Sequence, residues 1–414
     1  MMDWTPAIVI ALLMLSLWEV VPAFSILKRL QQPRSELNED FIFPPAAVIL
    51  PLRGADPSLE ACLRALVEQD YPDYRIHIIL DSRDDPAAAL VRRFAAEQAE
   101  GLVHVDYLAE VPTDSSLKCA CLAQVLAELP ADVEVIAFTD ADAVPARHWL
   151  RALTARLAAS GADAVSGIRW YDPHGRTAAA LFRYVWNAAS VVQMYRHGIA
   201  WGGCLALRRK IIAETDLVQR LRRAWGEDTV LDSVLRARGL KLDVDPALVM
   251  ISREDTTPGA FLGWACRQLL SARLHHSGWI KILLSGLLQW LLILACGALF
   301  LHGLWIGNGV QATTAGLALL LYELLQTGLL LTGERLIRRQ VPEQYAAISP
   351  PHLLPLLLII PLAQCLNGLL FIAAQLCRRV TWRGIVYRVG GKAGIRMLGY
   401  KLYVQEEEKG NRSL

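Results

Sequence analysis

The sequence predicts an α/β domain whose mixed, mostly parallel sheet is flanked by helices, set between membrane-spanning helices at both ends. From 43 to 257, short apolar runs alternate with amphipathic helical stretches, as βα units do. Ala7 to Leu27 form an apolar run long enough to cross a bilayer, and Lys28 and Arg29 follow it directly. After Gly278 the chain turns almost continuously apolar again, and 54% of its 414 residues are hydrophobic, more than a wholly soluble enzyme needs. The expected organisation is an anchor over 1–30, a catalytic domain over 43–257 and an interfacial amphipathic helix over 258–280. A transmembrane or re-entrant region over 281–377 and a basic cytoplasmic tail over 378–414 complete it.

The opening MMDW carries Asp3 and no Lys or Arg, so the first apolar run reads as a retained anchor rather than a cleaved signal peptide. Glu19 and Pro22 lie inside it, and the span survives if they face a neighbouring helix or the headgroups. A net charge of +2, with no basic run interleaved with aromatics, excludes nucleic acid as a partner class. The eight cysteines have no paired zinc spacing. They read as reduced, packed thiols facing a reducing compartment.

AAVILPLRG is the first strand, and Pro57 and Ser58 open the helix LEACLRALVEQ. YRIHIILDS is the second strand and ends at Asp81; the helix PAAALVRRFAAEQA and the strand LVHVDYL follow. Next come a loop holding Lys118, the helix CACLAQVLAEL and the apolar run Val133 to Phe138. That run empties into Asp140 and Asp142, with Pro145 beyond. Two carboxylates one residue apart at the carboxyl end of a strand can share a hard divalent cation, or they can simply make a turn. Asp81 stands at a similar strand end. If the two strand ends lie side by side they form a crevice for a nucleotide, with Asp81 accepting from base or ribose; otherwise Asp81 is a cap. No GxGxxG or GxxxxGK[ST] follows any strand, which argues against dinucleotide and P-loop enzymes.

GADAVSGIRWYD reads as a fifth strand. In WGGCLALRR, Trp201, Gly202, Gly203 and Cys204 precede a small apolar strand, where bare backbone can approach a ligand or make a tight turn. In WGEDTVLDSVLRARG, Glu227 and Asp228 begin an amphipathic helix ending at Gly239, where acids complement the helix dipole. Brought beside the central aspartates, Asp228 would be a general base.

In order, these motifs (VEQDYP, a strand closing in Asp81, Lys118, DAD, GGCLALRR and GED) resemble the family-2 glycosyltransferases with the GT-A fold. The resemblance is to the ceramide glucosyltransferase group and its bacterial membrane-bound relatives. It covers 44 to 275, with an echo in TWRGIVYRV at 381 to 389. It implies a nucleotide-sugar donor contacted by Asp81, Lys118, Asp140 and Glu227, Mg2+ or Mn2+ on Asp140 and Asp142, and Asp228 as catalytic base. The window Trp201 to Cys204 would border the acceptor. The family's Q/RxxRW motif, at the diphosphate or acceptor end, falls on RQLLS: Arg267 fits, but Leu270 and Ser271 replace Arg and Trp. Arg273, one turn on, would lend a cation from about the same helical face.

Ile282 to Ile306 and Val310 to Leu331 read as a membrane hairpin joined by GNG, with Arg335, Arg338 and Arg339 placing the following loop in the cytoplasm. Leu353 to Leu376 contains Pro355 and Pro361, and Arg378, Arg379, Arg383 and Arg388 follow. One crossing there would put that basic tail outside, so a proline-broken re-entrant or in-plane segment is expected. Before the hairpin, Phe261, Trp264, Leu269 and Trp279 mix with Arg267, Arg273, His275 and His276, as in a helix lying in the headgroup layer.

The function expected is inverting, metal-dependent transfer of a sugar from a nucleotide-sugar, a UDP-sugar, to the hydroxyl of a membrane lipid. A diphosphate leaves without a proton, so one carboxylate base suffices where glycosidases need two acids. A processive polysaccharide synthase and an inactive membrane scaffold relative are the alternatives. The sequence leaves the sugar, the lipid and the oligomeric state open.

Overall fold

The computed structural model describes residues 4–32, 41–172, 177–341, 353–390 and 394–404. Its central strands are β1 (Ala46–Leu52), β2 (Tyr74–Leu80), β3 (Val103–Tyr107), β4 (Val135–Thr139), β5 (Ala164–Tyr171), β6 (Cys204–Arg208) and β7 (Leu242–Ser252). They hydrogen-bond in the order β3-β2-β1-β4-β6-β5-β7. The helices of this domain are α2 (Leu59–Val67), α3 (Pro86–Ala96), α4 (Leu117–Glu128), α5 (Trp149–Ser160), α6 (Ala178–His197), the short α7 (Lys210–Glu214) and α8 (Leu217–Leu221), and α9 (Glu227–Ala237).

β1 is buried on both faces, which is why AAVIL is a continuous apolar run. Ala46, Val48 and Leu50 join one layer of core, while Ala47 and Ile49 join the layer on the other side of the sheet. Each buried Val, Ile or Leu here stabilises the fold by about 1.5 to 3 kcal/mol. β1, β2, β3 and β4 run parallel. β6 is antiparallel to β4 and β5, and it pairs Cys204 with Thr139. Because its direction is reversed, the start of β6 meets the carboxyl end of β4, and Trp201 to Gly203 come to lie against Asp140.

Two expectations change here. Asp81 and Asp140 are not on adjacent strand ends, because β1 lies between β2 and β4. Lys118 stands in the first turn of α4, not in a loop before it: Ser116 caps the helix by accepting from the Cys119 amide at 3.2 Å.

Among the described residues, four helices are long and apolar enough to cross a membrane: α1 (Thr5–Gln31), α11 (Trp279–Trp305), α12 (Gly309–Gln340) and α13 (Leu353–Leu376), the last measured over Pro355–Leu376. Glu19 does face a neighbouring helix, since its carboxylate accepts from Gln289 Nε2 of α11 at 2.9 Å. Exposed leucines, isoleucines and tryptophans line the outer faces of α1 and α11. α13 is not broken. Pro355 falls in its first turn, where a missing N–H costs nothing, and Pro361 is accommodated within the helix.

Leu356, Ile359 and Ile360 of α13 share an apolar cluster with Trp170, Tyr184 and Val341. At its other end the carbonyls of Ala374 and Gln375 accept from Arg273 of α10 (Pro258–His275). Both ends of α13 therefore lie at the catalytic domain. On α10, Phe261, Leu269 and Trp279 just beyond it are buried in a cluster with Trp186, Leu370 and Phe371. That apolar face meets α6 and α13. The expected basic tail is also folded as far as it is described. β8 (Arg379–Trp382), β9 (Ile385–Val389) and β10 (Ile395–Met397) make a small antiparallel sheet packed on Trp225 and Leu270; residues 405–414 lie outside the described residues. All eight cysteines are free thiols.

Candidate active site

A cavity of about 450 Å³ opens at the carboxyl ends of β1 and β4. Lys118, Asp140, Asp142, Trp201, Gly202, Glu227, Asp228 and Arg267 line one end. The same cavity continues between the membrane helices, past Ala23 and Ile26 of α1, Gln289 of α11, Leu330 of α12 and Asn367 of α13. Three of the four central acids expected from the sequence (Asp140, Asp142 and Asp228) therefore share one space.

Lys118 ties the two acidic segments together. Its ammonium lies 2.6 Å from Asp140 Oδ1 and 2.6 Å from Glu227 Oε1. Burial works against its charge, yet the two carboxylates hold its pKa well above the usual lysine value. The two glycines of the WGG turn are explained by their neighbours in the site. A Cβ at Gly202 would sit 1.7 Å from Glu227 Oε1, and one at Gly203 would sit 2.2 Å from the Trp201 ring and 2.9 Å from Asp140 Oδ2. Only bare backbone leaves room. Trp201 and Gly202 border the cavity, but Cys204 does not: it is fully buried, and its Sγ accepts from Trp149 Nε1 at 3.2 Å. The acceptor expectation at Cys204 is thereby corrected. As the first residue of a central strand, it points into the core.

Asp142 pairs with Arg169 of β5 at 2.7 Å, and its second oxygen is buried with no hydrogen-bond partner. Burial pushes its pKa up, but the Arg169 guanidinium holds it below the usual carboxylate value. Among the described residues no group of three or more His, Cys, Asp or Glu is arranged to hold a metal ion. Asp140 and Asp142 nonetheless fit a hard divalent cation as two oxygen ligands, since one Asp142 oxygen has no other use and phosphates or water complete such shells.

Asp228 differs from its neighbours, because no cation among the described residues pairs with it. It accepts from the Thr229 amide at 2.7 Å and from the Ser271 hydroxyl at 3.4 Å. Gly226 leaves the room this needs, since a Cβ there would meet Ser271 Oγ at 2.5 Å. Burial, and then the Glu227 carboxylate beside it, raise the Asp228 pKa to about 7, with Lys118 opposing. A carboxylate poised there is matched to general-base work near neutral pH.

Asp81 stands apart. It is buried outside the cavity, and its Oδ2 accepts from Arg53 and, at 2.9 Å, from the hydroxyl of Tyr400. Arg53 follows β1 directly and so fills the gap that β1 opens between Asp81 and Asp140. Arg267 lines the cavity on α10, whereas Arg273 faces away and caps α13. The suggestion that Arg273 supplies a cation is therefore withdrawn. His275 accepts from the Trp225 amide at 2.9 Å, a structural use. Sequence reasoning missed Arg53, Asp56 and Arg169, which line the cavity, and Glu254, which pairs with Arg169, because each is an ordinary charged residue within its own segment. It also gave no role to Arg383, although TWRG was in view.

A sequence model of glycosyl transferase family 21 matches residues 5–395, nearly the whole chain. The chain belongs to this family. Its resemblance to the ceramide glucosyltransferase group is seen directly in 39% identity over 51 residues with a ceramide glucosyltransferase of Komagataella phaffii, 11% of this chain and 10% of that one. A glycosyltransferase AglE of Haloferax volcanii is 22% identical over 174 residues, 41% of this chain and 55% of the relative. The matches thus span only part of either relative's length. Among solved structures, mannosyltransferase PcManGT of Pyrobaculum calidifontis, in complex with GDP-Man and Mn2+, superposes with a TM-score of 0.50 at 19% identity. That superposition covers 90% of this chain and 97% of that one and shows the shared GT-A-like fold. This member of family 21 accordingly joins a GT-A-like fold to membrane-length helices.

Proposed function

We propose that this glycosyltransferase transfers a sugar, with inversion, from a nucleotide-sugar to the hydroxyl of a membrane lipid. The observation that carries the reading is the single cavity running from Asp140, Asp142 and Asp228 down between α1, α11, α12 and α13. A water-soluble donor enters at the polar end. A lipid acceptor keeps its tail among Ile26, Leu30 and Leu330 while its hydroxyl reaches Asp228.

Asp228 takes the proton from that hydroxyl as the oxygen attacks the anomeric carbon, and the nucleoside diphosphate leaves from the opposite face with the bonding electron pair. Lys118 and Glu227 hold Asp140 and the donor end in place. Asp140 and Asp142 would hold Mg2+ or Mn2+, which when bound neutralises charge on the diphosphate. Asp81 keeps Arg53 against the base end of the donor pocket. The likeness to ceramide glucosyltransferase supports a UDP-sugar, and PcManGT's GDP-Man makes GDP-sugars the comparison to run.

Lys28 and Arg29 end α1, and Arg338 and Arg339 end α12, all beside the catalytic domain. We place this domain in the cytoplasm by the positive-inside bias, with α1, α11 and α12 crossing and α13 lying along the domain. The test is purified full-length protein with radiolabelled UDP- and GDP-sugars and membrane lipid extract, with and without EDTA. A discrete labelled glycolipid that EDTA abolishes is expected. A labelled polymer would instead support the processive synthase, and no transfer from any donor the inactive scaffold.

A further inference from the structure

The donor pocket lacks an obvious anion site on α10. Of the residues there, Arg267 faces the cavity with no carboxylate partner among the described residues. Leu270 is fully buried against Trp225, Ile385 and Tyr387, where a charge would lie away from water, and Ser271 is bonded to Thr229 at 3.0 Å. One guanidinium is a thin complement to a diphosphate. A second enters from the far end of the chain.

β8 and β9 are joined by Arg383 and Gly384 alone, with Trp382 paired to Ile385. Both turn residues have positive φ, +49° and +77°, as a two-residue type I′ hairpin demands. Gly suits such a position and Asn tolerates it. Arg does not, and Arg383 is the sole non-glycine residue with positive φ among those described. Strain of this kind persists where the surroundings over-determine it, often at ligand sites. The side chain is half-buried and lines the cavity together with Trp382, and it makes two bonds to Asp56 at 2.9 and 2.7 Å. A guanidinium has more N–H donors than one carboxylate occupies.

Arg383 also lies close enough to Arg267 to help lower that arginine's pKa to about 10, behind burial as the main cause. Two half-buried like charges facing one space are stabilised when an anion comes between them.

We propose that Arg383, at the tip of the C-terminal hairpin, and Arg267 form the diphosphate-binding site of the donor, with the Trp382 indole as its wall. This rests on the reading of the cavity as a nucleotide-sugar pocket. A phosphate on an acceptor lipid would offer the same chemistry. The donor is favoured because Arg383 sits on Asp56, just past the carboxyl end of β1, and acts electrostatically on Asp142.

The test uses full-length protein in lipid nanodiscs, titrated calorimetrically with UDP, UMP and a short-chain phosphatidic acid. The key variant is Arg383→Asn, which removes the charge but suits the turn, so the hairpin stays folded; Arg383→Lys is the partner variant. Arg383→Asn relieves the turn but leaves the buried Asp56 carboxylate without its guanidinium, so the protein should still fold with a lower thermal midpoint while UDP binding weakens about tenfold or more and UMP binding changes about threefold or less. Arg383→Lys should recover only part of the loss, since an ammonium lacks the fork. Unchanged UDP affinity in a folded Arg383→Asn protein overturns the proposal, as does a loss confined to phosphatidic acid. Wild-type protein that binds no UDP would overturn the donor reading itself, a separate and recognisable failure.

Discussion

The half-buried Asp228 and the buried Asp81 stand beside the same sheet, and they are put to opposite uses. Burial raises the pKa of each. At Asp81, Arg53 and the Tyr400 hydroxyl oppose that rise and close the carboxylate off from the cavity. At Asp228 no cation among the described residues pairs, Glu227 adds to the rise, and the carboxylate opens into the cavity. Burial with a counterion gives a fixture; burial without one gives a group ready to exchange a proton.

The contrast breaks most sharply with Asp228→Asn. Turnover should fall about a thousandfold, the usual scale for a lost general base, while UDP binding is retained. Asp228 must be ionised to act, so wild-type activity should climb with pH through about 7. Its folded pKa lies above the ordinary 3.8, so the stability conferred by its neutral form is present at acid pH and lost as pH rises through about 7. Melting curves of Asp228→Asn should accordingly exceed wild type at pH 8 and converge with it below pH 4. A variant with full turnover removes Asp228 from the reaction.

Asp81→Asn comes next, and it should act on stability. Leaving Arg53 buried without its carboxylate costs about 3 kcal/mol, read by denaturant titration. The donor KM should move by less than about threefold. A larger rise would sharpen the comparison, by showing that Tyr400 and Arg53 swing aside to let the donor reach Asp81.

Glu227→Gln removes the like charge beside Asp228 and should move the acid limb of the rate profile down by roughly one unit. Ser271→Ala gives the smallest effect. Its 3.4 Å hydrogen bond is long, so its loss should raise that limb by only roughly a few tenths of a unit. A shift in the opposite direction from either variant would mean that some other group sets the profile.

The parts of this site legible in the sequence were those with a local cause. β1 and β4 announce themselves because both faces are buried, and α9 because its apolar residues repeat at helical spacing. Strand direction carries no such mark. Nothing in GGCLALRR says that β6 runs antiparallel beside β4, and so the reason for Gly202 and Gly203, room for Glu227 and for the Trp201 ring against Asp140, lay hidden. The order of strands was equally silent, and Asp81 was set beside Asp140 when β1 and Arg53 stand between them. Arg383 meets Asp56 across most of the chain's length, a pairing no window of sequence contains. Pro361 misled for a different reason: proline weakens a helix but does not end one that is packed on several sides.

The small sheet of β8, β9 and β10 carries a consequence for biosynthesis. Trp382, Arg383 and Tyr387 finish the wall of the catalytic cavity, yet they leave the ribosome after every membrane helix has been made. A nascent chain can insert and fold its sheet while its reaction chamber still stands open on one side. Catalytic competence is thereby tied to completed translation, and a product truncated before residue 379 would be an anchored, folded and idle protein.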